Sequence, residues 1–166
     1  MKWLLIGGLL LIAVPRGVNA MQQEKEKQAI ERENLPRGIR NNNPLNIRYN
    51  AANDWQGQTG TDGEYAIFSH SKYGIRAAAK LLNKYYQGYG LTTINEIVNR
   101  WAPTIENNTQ SYVNAVANKL NVNANEPLLW PTYANALIKA MIHHENGIQP
   151  YTDSQVNEGI GLAGLK

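Results

Sequence analysis

Apolar residues recur at helical spacing through the second half of the chain. Four segments carry apolar side chains three or four positions apart, which is the pattern of an amphipathic α-helix. They are SKYGIRAAAKLLNKYY (71–86), TINEIVNRWAP (93–103), TQSYVNAVANKL (109–120) and TYANALIKAMIHHENG (132–147). Thr93 and Glu96 occupy the positions of an N-terminal capping box, and Gly147 suits a C-terminal cap. The pattern therefore predicts four helices.

The segment from 37 to 70 follows a different pattern. It is rich in Gly and Asn, and LNIRY (45–49) and EYAIF (64–68) show the partial alternation of short β-strands. Between them, DWQGQTGTDG (54–63) is prone to form turns. Together with the helices, this predicts an α+β fold with a mostly helical body and a small β lobe.

The N-terminal part of the chain predicts targeting rather than core. Lys2 precedes an apolar run from Trp3 to Val14, and small residues follow near Ala20. This layout predicts that residues 1–20 are a signal peptide or, alternatively, a membrane anchor. Residues 21–36 are nearly all polar or charged and are interpreted as a linker or solvated helix, so the folded domain is predicted to span 37–166.

Composition excludes several classes of function. The chain has no cysteine, which rules out disulfides and thiol chemistry. Its net charge is +3, but Lys2 and Arg16 lie in the N-terminal segment, so residues 21–166 carry 14 basic and 13 acidic groups. Such a balance, without a basic face, predicts no nucleic-acid partner.

Glu145 stands out at the end of the last predicted helix. Leu137, Met141 and Glu145 are four positions apart, so this carboxyl group continues an apolar stripe. Burial and the negative end of the helix both disfavour a charged carboxylate there. A carboxyl group that keeps its proton is what an acid catalyst of glycoside cleavage requires. Alternatively, Glu145 turns outward at a frayed helix end or caps a neighbouring residue.

The residues that follow Glu145 carry a family resemblance. The stretch ENGIQPYTDSQVNEGIGLAG resembles the motif of lytic transglycosylases in the lysozyme superfamily, in which a catalytic Glu ends a helix. Gln149-Pro150 stands where that motif has an Asn-Pro pair, and Gly161-Leu162 matches the start of its Gly-Leu-Met-Gln element. Three further positions depart from the motif: Asn146 replaces the usual Ser, and Ala163 and Gly164 replace the usual Met and Gln.

Two further resemblances widen the match. NNNPLNI, WQGQTGTDG and YAIFSHSKYGIRAAAKLL are similar to the β-lobe half of bacterial glucosaminidases, where the glutamate helix comes first rather than last. The region from Arg37 to Leu162 also resembles a family of small phage virion proteins through RGIRNNNP, GIRAAAKLL, RWAP and HENG. These resemblances imply a lysozyme-like muralytic domain at 37–166, which we expect to be circularly permuted.

Other side chains are candidates for the same site. Asp62 or, preferably, Glu64 is a candidate second carboxylate that activates water in a hydrolase, although both also fit a turn, and a transglycosylase needs neither. The candidate substrate-binding residues are Asn42, Asn43, Asn46, Trp55, Tyr65 and Tyr151. The asparagines also suit turns without a ligand. The tyrosines at 85, 86 and 89 are assigned to the core because of their helical spacing.

The histidines do not form a metal-binding motif. His143 and His144 are adjacent on a helix and point about 100° apart, and His70 lies far away in the sequence. Without an HExxH pattern or a cysteine, neither a metal nor any other cofactor is predicted.

The combined prediction is a phage enzyme that cleaves the glycan strand of peptidoglycan, as a lytic transglycosylase or a muramidase, with Glu145 as general acid. The alternatives are a non-catalytic virion protein with a lysozyme-like fold and a murein endopeptidase. Peptidoglycan is the expected partner, with other virion proteins and, through residues 1–20, a membrane as further candidates. The expected location is the virion, or an exported, periplasmic site with inner-membrane anchoring.

Overall fold

The computed structural model describes residues 20–103, 108–130 and 132–165, and these residues form seven α-helices and one two-stranded antiparallel sheet. The predicted α+β class with a mostly helical body is therefore confirmed. The chain divides between Asn34 and Leu35 into two compact units. Every residue of the hydrophobic core lies in the second unit, between Leu45 and Ile160.

Helix α1 (Ala20–Glu33) is the described part of the first unit. Its side chains are almost all polar or charged, and it has no buried residue. Hydrogen bonds one turn apart, such as Gln22 to Glu26, run along its surface. The predicted signal peptide or anchor lies outside the described residues, apart from Ala20. Within the described ranges, no helix has the length and apolar character needed to cross a bilayer.

The β lobe differs from the prediction in its first strand. Strand β1 (Gln58–Thr61) pairs antiparallel with β2 (Ala66–Phe68), with a bulge between Gln58 and Gly60. EYAIF thus contains a strand, as predicted. LNIRY does not: it contributes only an isolated bridge between Arg48 and Tyr65. The partner strand, QTGT, instead lies in the segment that was predicted to form a turn. The sequence pattern missed this strand because it pairs through its backbone groups and carries no apolar pattern.

The four predicted helices are present. They are α3 (Ser71–Asn83), α4 (Ile94–Trp101), α5 (Thr109–Leu120) and α6 (Ala134–Asn146). The capping box at Thr93 and Glu96 is formed, and Gly147 ends α6 in the left-handed conformation at φ 71°. A π-helical turn, Lys84–Gly88, continues α3.

Two helices were not predicted. The short α2 (Arg37–Arg40) precedes the asparagine turn, and α7 (Asp153–Leu162) follows Tyr151. Helix α7 begins with a capping box formed by Thr152 and Gln155. This segment contains two glycines and few apolar residues, so its sequence shows no apolar stripe of the kind that predicts a helix. Gly159 allows α7 to pack closely on α3, since a Cβ there would lie 2.5 Å from Cγ2 of Ile75.

The core fixes the helix that carries Glu145. Leu137, Ile138, Met141 and Ile142 on α6 are fully buried, and α6 packs against α2, α3, α5 and α7. The buried side chain of Asn43 joins the loop after α2 to the β lobe through hydrogen bonds. The amide of Asn43 donates to the carbonyls of Ile47 and Ala66 and accepts from the Ile47 N–H. The buried face of α6 and the hydrogen bonds of Asn43 thereby hold the end of α6 and this loop in fixed positions.

Candidate functional site

A cleft of about 690 Å³ opens where α5, α6, the β lobe and the loop after α2 meet. This volume lies in the range of small-molecule and cofactor sites. Glu145, Asn46 and Tyr112 line it together with Arg48 and Glu64. The other side chains that line it are mostly aromatic or apolar: Leu45, Ile47, Tyr65, Leu81, Tyr85 and Trp101. The cleft thus combines many polar and charged groups with several aromatic rings.

The carboxylate of Glu145 is held by two neutral donors. The Tyr112 hydroxyl donates to Oε1 at 3.0 Å, and the Asn46 amide donates to Oε2, also at 3.0 Å. Among the described residues, none of the ion pairs involves Glu145. An arginine partner would fix the carboxylate in its charged form. A hydroxyl and an amide are neutral donors, and the protonated acid keeps some acceptor capacity for them.

The end of α6 positions Glu145 at the edge of the core. Leu137 and Met141 are fully buried, whereas Glu145, one turn further on, is half-buried and reaches the cleft. The next side chain, Asn146, ties the helix end to the loop after α2, since its amide donates to the carbonyls of Pro44 and Ile142. The apolar stripe therefore ends in a half-buried carboxylate that lines the cleft, so Glu145 is less buried than the sequence pattern indicated.

Gly38 explains how the two asparagines come so close. A Cβ at this position would lie 2.6 Å from Asn146 Oδ1, 2.7 Å from Asn46 Oδ1 and 3.0 Å from the Asn43 carbonyl. The amides of Asn46 and Asn146 are therefore packed onto a backbone position where the Cβ of any other residue would crowd them. Asn46 adopts the left-handed conformation at φ 50°, which asparagine tolerates better than most residues do.

Tyr112 is the site residue that the sequence did not identify. It was predicted only as part of the apolar stripe of α5, and its side chain is indeed buried. Burial, and secondarily the Glu145 carboxylate, raise the pKa of Tyr112 well above its usual value, so the hydroxyl stays a donor. The ring of His144 stacks on the Tyr112 ring at 3.8 Å between centroids. Desolvation lowers the pKa of His144, and the nearby Glu145 carboxylate opposes this shift.

The two hairpin carboxylates are bound to arginines. Arg37 contacts Asp62 at 2.7 Å and Glu64 at 2.8 Å, and Arg48 contacts Glu64 at 3.0 Å. Hydrogen bonds from Arg37 are the largest cause that lowers the pKa of both carboxyls, and the charge of Arg48 lowers the pKa of Glu64 further. Glu64 lines the cleft and Asp62 does not. A carboxylate held in this way is a weak base, which argues against the predicted water-activating role.

The predicted substrate-binding residues separate into two groups. Asn46 and Tyr65 line the cleft, with the Arg37 guanidinium 4.4 Å from the Tyr65 ring centre. The other four do not line it. The Asn43 side chain is fully buried and the Asn42 amide donates to the backbone carbonyls of Phe68 and Ser69, so both serve the fold. Trp55 and Tyr151 pack against the core as partly buried rings.

In the described residues, no cluster of three or more His, Asp or Glu side chains could hold a metal ion. His143 is exposed beside Glu145, and His70 lies in front of α3, where its ring contacts Tyr73. The polar side chains that line the cleft can transfer protons and form hydrogen bonds.

Comparison with known proteins gives one informative match. No protein-family model matches this chain. A relative, Protein P5 of Pseudoalteromonas phage PM2, is 43% identical over 127 residues. The aligned region covers 74% of this chain and 79% of the relative.

Proposed function

This chain belongs to the family of Protein P5 of Pseudoalteromonas phage PM2, and from that premise we propose that it is a virion-associated phage enzyme that cleaves the glycan strand of peptidoglycan. Glu145 is its general acid. The phage relative supports the phage origin, and the motif around Glu145 supports the reaction. The fold is lysozyme-like in this proposal.

The observation that carries the proposal is the setting of Glu145. A half-buried carboxyl group lies in a cleft, held on one oxygen by Tyr112 and on the other by Asn46. Both donors are neutral, so the group can give up a proton and take one back without breaking an ion pair. General acid and base catalysis by a single residue requires this freedom.

The reaction runs in two proton transfers. Glu145 protonates the glycosidic oxygen between N-acetylmuramic acid and N-acetylglucosamine, and the bond from that oxygen to the anomeric carbon breaks. A hydroxyl group of the same N-acetylmuramic acid then attacks its anomeric carbon and passes its proton to the Glu145 carboxylate. The product is an anhydro-sugar, and Glu145 is protonated again for the next cycle.

The choice of a lytic transglycosylase over a hydrolase rests on the hairpin acids. A hydrolase of the inverting type needs a second carboxylate free to activate water. Asp62 and Glu64 are both bound by Arg37. A transglycosylase needs no such base, because the substrate supplies the nucleophile.

The virion is the proposed location, with peptidoglycan as the substrate and neighbouring virion proteins as partners. Residues 1–20 would export the protein or tether it to a membrane, and α1 would be a polar spacer. The intact mass of the protein from its natural source tests this part of the proposal. A chain that begins at Met21 indicates cleavage, and one that begins at Met1 indicates an anchor.

The reaction is tested by incubating the full chain with purified peptidoglycan and measuring the masses of the soluble fragments by mass spectrometry. We expect fragments that end in anhydro-muramic acid. Reducing ends instead would contradict the transglycosylase and favour a muramidase. Freed stem peptides would replace the proposal with an endopeptidase, and the absence of any fragment would favour a non-catalytic virion protein.

A further inference from the structure

We propose that Tyr85 and Trp101 form a platform that binds a sugar ring of the glycan strand within the same cleft as Glu145. The ligand class rests on the proposed function, whereas the platform rests on the geometry of the two rings. Both residues line the cleft, and both are partly buried. The sequence pattern placed Tyr85 in the core and gave Trp101 no role.

A π-helical turn presents Tyr85. The turn Lys84–Gly88 follows α3 directly, and Leu81 of α3 lines the cleft one turn before Tyr85. A π turn contains one extra residue, which rotates the following side chains by about 100° relative to a continuous α-helix. Such turns are rare and occur frequently at functional sites. The turn therefore sets the direction in which the aromatic side chains of Tyr85 and its neighbours leave the helix.

The Tyr85 ring is supported on several sides. It meets the Trp101 ring edge-on at 6.3 Å and stacks on Tyr89 at 6.1 Å. The Arg100 guanidinium lies 5.8 Å from the Tyr85 ring centre and 5.3 Å from that of Tyr89. A ring that is already fixed loses little side-chain entropy when a ligand packs against it. The cluster is thus suited to bind a flat, partly apolar surface.

The polar groups in the cleft favour a carbohydrate as that ligand. A sugar ring has a C–H face that packs on aromatic rings and a rim of hydroxyl and amide groups that form hydrogen bonds. Asn46, Asn108 and Ser111 line the same cleft and offer amide and hydroxyl groups. Single-stranded nucleic acid also stacks on aromatic rings, but it needs a cationic groove. Of the charged residues that line the cleft, Arg48 is a cation and Glu64 and Glu145 are carboxylates, which disfavours a polyphosphate.

The platform is tested by binding to an inactive full chain. Glu145→Gln is titrated with soluble glycan strands of peptidoglycan from which the stem peptides have been removed, and both tryptophan fluorescence and the heat of binding are followed. We expect a saturable fluorescence change that Trp101→Phe abolishes. We expect Tyr85→Leu, which keeps apolar volume, to weaken the affinity about tenfold, since one lost ring contact is worth up to about 1.5 kcal/mol. Tyr85→Phe should bind within about twofold of the parent.

Matched controls lie in the same region but outside the cleft lining. Tyr86 belongs to the same π turn, and its ring packs against Trp130. Tyr86→Leu and Trp130→Phe, both made in Glu145→Gln, should therefore leave the affinity for glycan strands unchanged. Circular dichroism and thermal unfolding verify the fold of each variant. If Tyr85→Leu does not fold, the affinity of the milder Trp101→Phe variant tests the platform by itself.

The outcomes separate this inference from the proposed reaction. Unchanged affinity in both Trp101→Phe and Tyr85→Leu would overturn the platform, even if the parent cleaves peptidoglycan. Weakened binding in these variants, together with a parent that releases no fragments, would support the platform and overturn the reaction. Binding of a single-stranded oligonucleotide in place of the glycan strands would also overturn the inference.

Discussion

At the scale of single residues, the proposed catalysis depends on how Glu145 is held. Tyr112 contributes a hydrogen bond to Oε1 from a fully buried ring. Removing that hydroxyl leaves the ring and its stacking with His144 in place. The effect of Tyr112→Phe thus isolates the hydrogen bond to Oε1.

We expect Tyr112→Phe to lower kcat on peptidoglycan by about tenfold to a hundredfold, because a hydrogen bond to a charged group is worth about 1.5–3 kcal/mol. Steady-state release of soluble fragments measures it, and thermal unfolding verifies that the fold is intact. A kcat equal to that of the parent would show that Tyr112 does not position the acid. A rise in KM alone would assign Tyr112 to substrate binding instead.

Gly38 gives a second prediction at this scale, on stability. A methyl group there would contact Asn146 Oδ1, Asn46 Oδ1 and the Asn43 carbonyl at 3.0 Å or less. We expect Gly38→Ala to lower the free energy of unfolding by about 1–3 kcal/mol, as overpacking does. Urea unfolding measures it. Gly161→Ala is the matched control, because nothing lies within 4 Å of a Cβ there, and equal stabilities of the two variants would refute the close packing.

At the scale of elements, the β lobe is fixed by charge as well as by pairing. Arg37 on α2 bonds Asp62 and Glu64 on the hairpin, and so ties the two elements together. Both carboxyls have a pKa below their usual values of 3.8 and 4.5, respectively. A lowered folded-state pKa stabilises the fold above the unfolded-state pKa, and this stabilisation is lost as the pH falls towards the folded-state value.

We therefore expect the parent to lose stability progressively as the pH falls below about 4.5. Arg37→Gln should be less stable at pH 7 and should lose less stability between about pH 7 and pH 3. Urea unfolding at a series of pH values measures both, with Lys119→Gln as a control for the loss of one exposed cation. Parallel pH profiles for Arg37→Gln and the parent would contradict the role of this ion-pair network.

The elements also show what the sequence could predict. The helices α3 to α6 were predictable because each buries one stripe of apolar residues, and Thr93 and Gly147 marked two of their ends. Strand β1 and helix α7 were not, since QTGT and DSQVNEGIGL carry little apolar pattern and are stabilised by pairing and packing. At the candidate site, motif and composition pointed to Glu145 and Asn46, and both line the cleft. The proposed roles of Tyr112, Tyr85 and Trp101 depend on which parts of the chain meet in three dimensions.

At the scale of the whole molecule, the described residues of the first unit contribute no side chain to the core. Helix α1 has no buried residue, and the core begins at Leu45. We expect a chain that begins at Leu35 to unfold cooperatively, with a free energy within about 0.5 kcal/mol of the full-length value, as for changes at exposed positions. Calorimetry of the two chains measures it. Loss of the cooperative transition would show that residues 1–34 are needed for folding.

In the proposed mechanism, Glu145 is the general acid of a cleft that cleaves glycan strands. The most direct test is the rate at which the Glu145→Gln variant releases soluble fragments from purified peptidoglycan. The amide keeps the size of the side chain and removes the proton that is transferred, so we predict a loss of at least about a hundredfold with an unchanged thermal midpoint. Glu126→Gln, an exposed carboxylate outside the cleft lining, should match the parent. A Glu145→Gln rate within a few-fold of the parent would contradict the account.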